Sequence, residues 1–176
     1  WPTGAGISGT QPTQNSGLPF TVTNHGKNGG AASNGPAKYG SGGGGGAGSD
    51  GANGHPNYGG DGGRGIQIPS TFQDPTNVSG VPGPGGGAFW VAAGGGGGAI
   101  FPQLPAQGHG GNNGAGADGP FAGAGDGGPI FGGNANNATA NTGSGGGGST
   151  CVGDPYGNQR LGGDGATGLV LIAYPT

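Results

Sequence analysis

The chain has 176 residues, 55 of them glycine and 15 proline, and its net charge at pH 7 is −3. Hydrophobic residues make up 28% and charged residues 6%, which excludes an ordinary apolar core and a polycationic surface for nucleic acid. Collagen is excluded because there are too few prolines, and a membrane span because no apolar run is long enough. A single cysteine excludes an intrachain disulfide framework.

Folding of such a chain must depend on its backbone. Ordering a residue costs roughly 1–2 kcal/mol, and glycine loses more conformational freedom than any other residue. Because so little apolar surface can be buried, hydrogen bonds between segments must supply what side chains normally provide.

The first 25 residues are predicted to be an entry or attachment segment ahead of a glycine-rich domain at 26–176. Phe20-Thr-Val-Thr23 alternates apolar and polar residues, which is typical of a strand. The chain begins at Trp1 without methionine or a signal-like segment, which predicts a mature product or the ordered part of a longer protein.

A period of three dominates the next region. From Gly42 to Gly63, every third residue is glycine in seven of eight positions, against five of the fourteen positions between them. Three residues per turn is the period of an extended left-handed helix, which has no internal hydrogen bonds and is stable only when bundled. At 3.1 Å per residue the run would reach about 65 Å, so we expect a turn near His55-Pro56-Asn57.

Further stretches in which glycine recurs at every third residue, which we call glycine frames, follow. They are separated by segments that hold most of the aromatic and branched residues. Ile66-Gln-Ile68 is a short strand signal, and the continuous apolar run Leu169–Tyr174 predicts a buried strand or a terminus that seals the bundle. No window favours a helix, since the longest stretch without glycine or proline, residues 134–142, is rich in asparagine and threonine.

One internal repeat is visible. The segment Gly59–Ile68 aligns without gaps on Gly162–Leu171, and proline follows both, at Pro69 and Pro175. The repeat indicates a unit in which glycines allow close contact and a small apolar plug then caps the bundle.

The alternation of glycine runs with variable insertions, closed by GGDGATGLVLIAYP, resembles the glycine-rich domains of bacteriophage tail-fibre and adhesin proteins. The resemblance covers roughly residues 26–176. It implies an irregular, all-β-like bundle of parallel and antiparallel polyglycine II helices, with a few short strands and no α-helix. It also implies a virion or extracellular location, contact between loops and a host cell-surface protein or glycan, and association with other fibre subunits, either as a homotrimer or on a trimeric shaft.

Specificity in such a domain must come from the insertions, because a glycine-packed scaffold has few side chains on its faces. Aromatic side chains dominate binding hot spots, so the candidate receptor contacts are aromatic. They are Phe72, Phe89, Trp90, Phe101 and Tyr156. The alternative interpretation of the same residues is that they plug the ends of the bundle.

No catalytic or cofactor motif is present, so we predict neither an enzyme nor a cofactor. Every acidic residue is an aspartate followed by glycine or proline, which favours turns over a calcium site, although the calcium alternative stays open. Asn77-Val-Ser79 and Asn137-Ala-Thr139 are glycosylation sequons. They support one alternative function, a secreted matrix glycoprotein; an ice-binding bundle and a flexible linker are two further alternatives.

Overall fold

The computed structural model describes residues 25–33, 40–73, 89–98, 123–128, 134–149, 160–172 and 174. These residues include no α-helix. They contain one 3-10 helix, Ser70–Phe72, and one antiparallel sheet of two strands, β1 (Ile66–Gln67) and β2 (Trp90–Val91). The non-helical fold and the strand at Ile66–Gln67 are therefore confirmed, whereas Phe20–Thr23 lies outside the described residues.

Nine extended segments make up most of the rest of the described chain. Each is short, and each contacts its neighbours through backbone hydrogen bonds. In chain order they are segment 1 (25–33), segment 2 (40–47), segment 3 (49–55), segment 4 (58–65), segment 5 (92–98), segment 6 (123–128), segment 7 (134–140), segment 8 (142–149) and segment 9 (160–168).

The hydrogen bonds between segments repeat every three residues. In segment 2, the N–H groups of Gly43 and Gly46 donate to segment 3, whereas those of Ser41, Gly44 and Ala47 donate to segment 5. Residues three apart therefore face the same neighbour, and residues at intermediate positions face another. Each segment thus contacts several neighbours through its backbone, in both parallel and antiparallel directions.

Glycine is required because these backbones approach so closely. A Cβ added to Gly30, Gly125 or Gly147 would overlap a backbone carbonyl of the adjacent segment. The apolar core is correspondingly small: Ala93 and Ala124 are buried together, and Trp90 packs against them. Backbone packing thus takes the place of a side-chain core, as the composition requires.

The glycine run from Gly42 to Gly63 turns twice. The His55 N–H donates to the Tyr58 carbonyl at 2.9 Å, which confirms the turn expected there. A second turn, absent from our sequence prediction, is closed by the Gly46 N–H on the Ser49 carbonyl at 3.0 Å. The sequence of this second turn contains no proline or asparagine that would have predicted it. The turn brings segment 3 back alongside segment 2.

The hydrogen-bonding pattern of segments 1 to 4 is repeated by segments 9 to 6. Segment 5 lies between the two units and runs antiparallel to segment 2 but parallel to segment 8. The chain therefore visits equivalent segments in opposite order in the two units. The matched donor–acceptor pairs are Gly30–Gly43 with Gly163–Gly147, Gly43–Ala52 with Gly147–Asn136, Ala52–Asp61 with Asn136–Asp126, Gly60–Ser41 with Gly125–Gly145, and Gly51–Asn28 with Ala135–Leu161.

The outermost segments, 1 and 9, are held by a recurring side-chain arrangement that we call the Asx clasp. Asp50 Oδ1 accepts from the Asn28 N–H at 2.8 Å, while the next residue, Gly51, donates its N–H to the Asn28 carbonyl at 2.9 Å. Both backbone groups of one outer residue are thus satisfied by two consecutive residues. The other clasps are Asn53-Gly54 on Ala31, Asn134-Ala135 on Leu161, and Asn137-Ala138 on Asp164.

One alternative for the run Leu169–Tyr174, a buried strand, is wrong, because Val170, Ile172 and Tyr174 are exposed. The other alternative, a terminus that seals the bundle, stays a prediction. The two copies of the gapless repeat also do not occupy structurally equivalent positions in the bundle. Segment 4, in the first copy, is mostly buried and leads to buried Ile68, whereas segment 9, in the second, is mostly exposed.

Candidate functional site

Four of the points where the chain leaves the described segments lie at one end of the bundle. The Ser33 N–H bonds the Gly40 carbonyl there, and the Ser41 N–H bonds the carbonyl of Gly98. Ser149 lies beside Gly98, since a Cβ on that glycine would overlap the Ser149 carbonyl. We call this the insertion end. Residues 34–39, 129–133 and 150–159 both leave and rejoin the described segments at it, and residues 99–122 leave from it.

The opposite, terminal end holds both chain termini of the described structure. The Lys27 N–H bonds the Gly46 carbonyl near the start of segment 1, and the Gly143 N–H bonds the Thr167 carbonyl near the end of segment 9. The two-stranded sheet β1–β2 also lies beyond this end, because it follows segment 4 and precedes segment 5.

A stacked pair of rings stands at the insertion end. The rings of His55 and Tyr58 lie 4.2 Å apart between centroids and are inclined by 11°. Both side chains are exposed, and the turn that separates segments 3 and 4 brings them together. Our sequence prediction did not include this pair among the candidate contacts. The sequence feature that could have indicated it is that His55 and Tyr58 are three residues apart, on either side of the Pro56-Asn57 turn.

The five aromatic candidates fall into two groups. Phe72, Phe89 and Trp90 lie at the terminal end and are half-buried. Trp90 packs against the Ala93–Ala124 pair, and Phe89 has a positive φ of 67°, which is uncommon for a bulky side chain. Phe101 and Tyr156 lie outside the described residues, in the two stretches that leave the insertion end after Gly98 and Ser149.

One aspartate acts differently from the predicted turn residues. Asp50 lies within extended segment 3 and binds the backbone of a residue 22 positions away, so the local-turn interpretation is wrong for it. Asp126 accepts from the Asn136 amide at 3.4 Å. No group of three or more histidine, cysteine, aspartate or glutamate side chains close enough to hold a metal ion occurs among the described residues.

The sequons lie in different parts of the chain. Asn77 lies outside the described residues. Asn137 is exposed on segment 7, and its Oδ1 accepts from the Asp164 N–H at 2.8 Å, which leaves the amide nitrogen without a role in that clasp.

No family model, curated protein or solved structure matches this chain. Within the described part of the chain, no helix is long and apolar enough to cross a membrane.

Proposed function

We propose that this chain is a non-catalytic receptor-binding domain of a viral, bacteriophage-type fibre or adhesin. The observation that carries the proposal is that the His55–Tyr58 pair, both ends of three insertions and one end of a fourth lie at the same end of a bundle held by its backbone. Loops on a rigid support are the usual place for binding residues. Both termini of the described structure lie at the other end, where a fibre could attach.

The nine segments are, on this proposal, polyglycine II helices. Three observations support the assignment: the three-residue repeat of hydrogen bonds, the mixture of parallel and antiparallel neighbours, and the glycines that face neighbouring carbonyls. A helix with three residues per turn presents its N–H groups in three directions, and two of these directions carry the hydrogen bonds that segment 2 donates to segments 3 and 5.

Recognition is assigned to short-range contacts at the insertion end. The net charge of −3 over 176 residues provides little electrostatic steering. Aromatic rings contribute most at binding hot spots, where truncation costs about 2 kcal/mol or more. Of the residues singled out from the sequence, Phe101 and Tyr156 are therefore the stronger candidates, with Tyr58 added by the structure; Phe89 and Trp90 are assigned to closing the terminal end.

An adsorption assay separates these roles. The fluorescently labelled chain is first screened against a panel of bacterial cells to identify a host that binds it. We expect the triple variant Tyr58→Ala, Phe101→Ala and Tyr156→Ala to adsorb at least about tenfold more weakly than the parent. Its melting temperature should equal that of the parent. Trp90→Ala is the matched control, and we expect it to lower the melting temperature while adsorption by the folded fraction is retained.

If the triple variant adsorbs like the parent, the proposal that the insertion end binds the receptor is wrong. If Trp90→Ala instead abolishes adsorption and leaves the melting temperature unchanged, the receptor face is the terminal end.

We further propose that the domain works within a larger assembly, with other fibre subunits or as a homotrimer. Outer backbone groups of a bundle pose the same problem as the edge of an open sheet, and the Asx clasps cover only part of segments 1 and 9. Analytical ultracentrifugation is expected to show species heavier than the 16.2 kDa chain. A stable monomer at high concentration would remove the need for such partners.

One observation favours the second candidate, a secreted matrix glycoprotein. Asn137 of a sequon is exposed, and the clasp occupies its oxygen rather than its nitrogen. A glycan found at Asn137 by mass spectrometry of the native protein, together with no adsorption to any cell, would favour this function over the fibre.

A further inference from the structure

The last described stretch of the chain presents apolar side chains to solvent. Val170, Ile172 and Tyr174 are 84%, 68% and 79% exposed, whereas Leu169 is 37% exposed and Leu171 is half-buried. Alternate residues of an extended chain share a face, so Val170, Ile172 and Tyr174 form one face, which we call the tail face. No hydrogen bond joins residues 169–172 or Tyr174 to another part of the described chain.

The tail face begins at the same end of the bundle as the point where the N-terminal residues join it. The Thr167 carbonyl accepts from the Gly143 N–H at 2.8 Å, and Gly143 lines the same groove as His25. Residues of segments 2, 5 and 8 also line this groove. The chain therefore enters at His25 and leaves after Gly168 at the same end of the bundle.

The residues immediately before His25 have the complementary character. Leu18, Phe20 and Val22 alternate with Pro19, Thr21 and Thr23, so an extended chain would carry its large apolar side chains on one face. No charged residue occurs in 1–24 or after Asp164, so neither surface carries a charge that burial would leave unpaired. Val22 is three residues from His25, within roughly 10 Å of extended chain.

We propose that residues 18–23 of the same chain cover the tail face, with Leu18, Phe20 and Val22 packed against it. The two stretches run in opposite directions, one towards the bundle and one away from it. Their association ties residues 18–23 to the last described stretch of the chain.

The test is a disulfide between the two stretches in the full-length chain, with Cys151→Ser to remove the native thiol. We expect Phe20→Cys with Ile172→Cys to form an intramolecular bond on mild oxidation, at the monomer mass. The matched control is Thr21→Cys with Ile172→Cys, because residue 21 faces away from the tail face on our assignment. We expect the control pair to form its bond at least tenfold more slowly.

Two outcomes overturn the proposal. Equal rates for the two pairs would show that residues 18–23 have no fixed position over the tail face. A disulfide-linked dimer as the main product would show that a second copy occupies it instead.

A second measurement does not depend on the cysteine variants folding. In the otherwise native chain, Val170→Asp with Ile172→Asp is expected to accelerate amide exchange of residues 20–23 at least tenfold, with exchange in segment 5 unchanged. Unchanged exchange at residues 20–23, with segment 5 also unaffected, overturns the proposal.

Discussion

Gly147→Ala is expected to destabilise the chain by about 3 kcal/mol or more, at the upper end of overpacking costs. A Cβ at this position would overlap the Asp126 carbonyl oxygen, which is backbone and has no rotamer to change. Moving segment 6 away would break the bond from the Asn136 N–H to the Asp126 carbonyl, 3.0 Å long. Moving segment 8 would break the bond from the Gly163 N–H to the Gly147 carbonyl, 2.8 Å long.

The matched control is Gly168→Ala. Among the described residues, no heavy atom beyond its chain neighbours lies within 4 Å of a Cβ added there, and Gly168 is exposed at the end of segment 9. Because the change also reduces the freedom of the unfolded chain, we expect an effect within about 0.5–1 kcal/mol of zero.

Denaturant unfolding of the two variants and the parent, with m-values compared, measures the difference. Equal midpoints for Gly147→Ala and Gly168→Ala would contradict both the close backbone packing and our proposal of polyglycine II helices, which rests on it.

Removal of two Asx clasps, by Asn134→Ala with Asn137→Ala, is expected to release segment 9 selectively. Each substitution deletes an acceptor for an outer N–H group, at Leu161 or Asp164, and one such bond contributes about 1 kcal/mol. Two lost bonds correspond to roughly 30-fold faster amide exchange in segment 9. Segment 1, held by its own clasps in the other unit, should keep its protection.

Asp50 offers the matched control for clasp chemistry. Its equivalent in the other unit is Asn134, so an amide oxygen is known to serve in the same place. We therefore expect Asp50→Asn to preserve the protection of the Asn28 amide, and Asp50→Ala to lose it. Equal loss in both variants would show that the carboxylate charge, rather than the oxygen acceptor, holds segment 1.

Exchange measured residue by residue, by NMR or by fragment mass spectrometry, reads out both experiments. Uniform acceleration across all nine segments on loss of the Asn134 and Asn137 side chains would mean that segment 9 unfolds only with the whole bundle.

The sequence by itself determined the manner of folding. With 55 glycines and few apolar residues, the backbone had to supply the packing, and the period of three between Gly42 and Gly63 predicted the spacing of hydrogen bonds seen in segments 2 to 4. The turn at His55 was also predictable, because proline and asparagine in succession favour a turn. Both features, the glycine spacing and the turn, depend on residues that are close together in the sequence.

Only the tertiary structure decided which segments are neighbours. Glycine frames look alike, so nothing in the sequence distinguishes buried segment 4 from exposed segment 9, and the gapless repeat joined two places that are not equivalent. The true correspondence between the two units runs in opposite chain order, which sequence alignment does not detect. The role of Asp50 was hidden for the same reason: its partner, 22 residues away, is set by the register between segments rather than by local chain geometry.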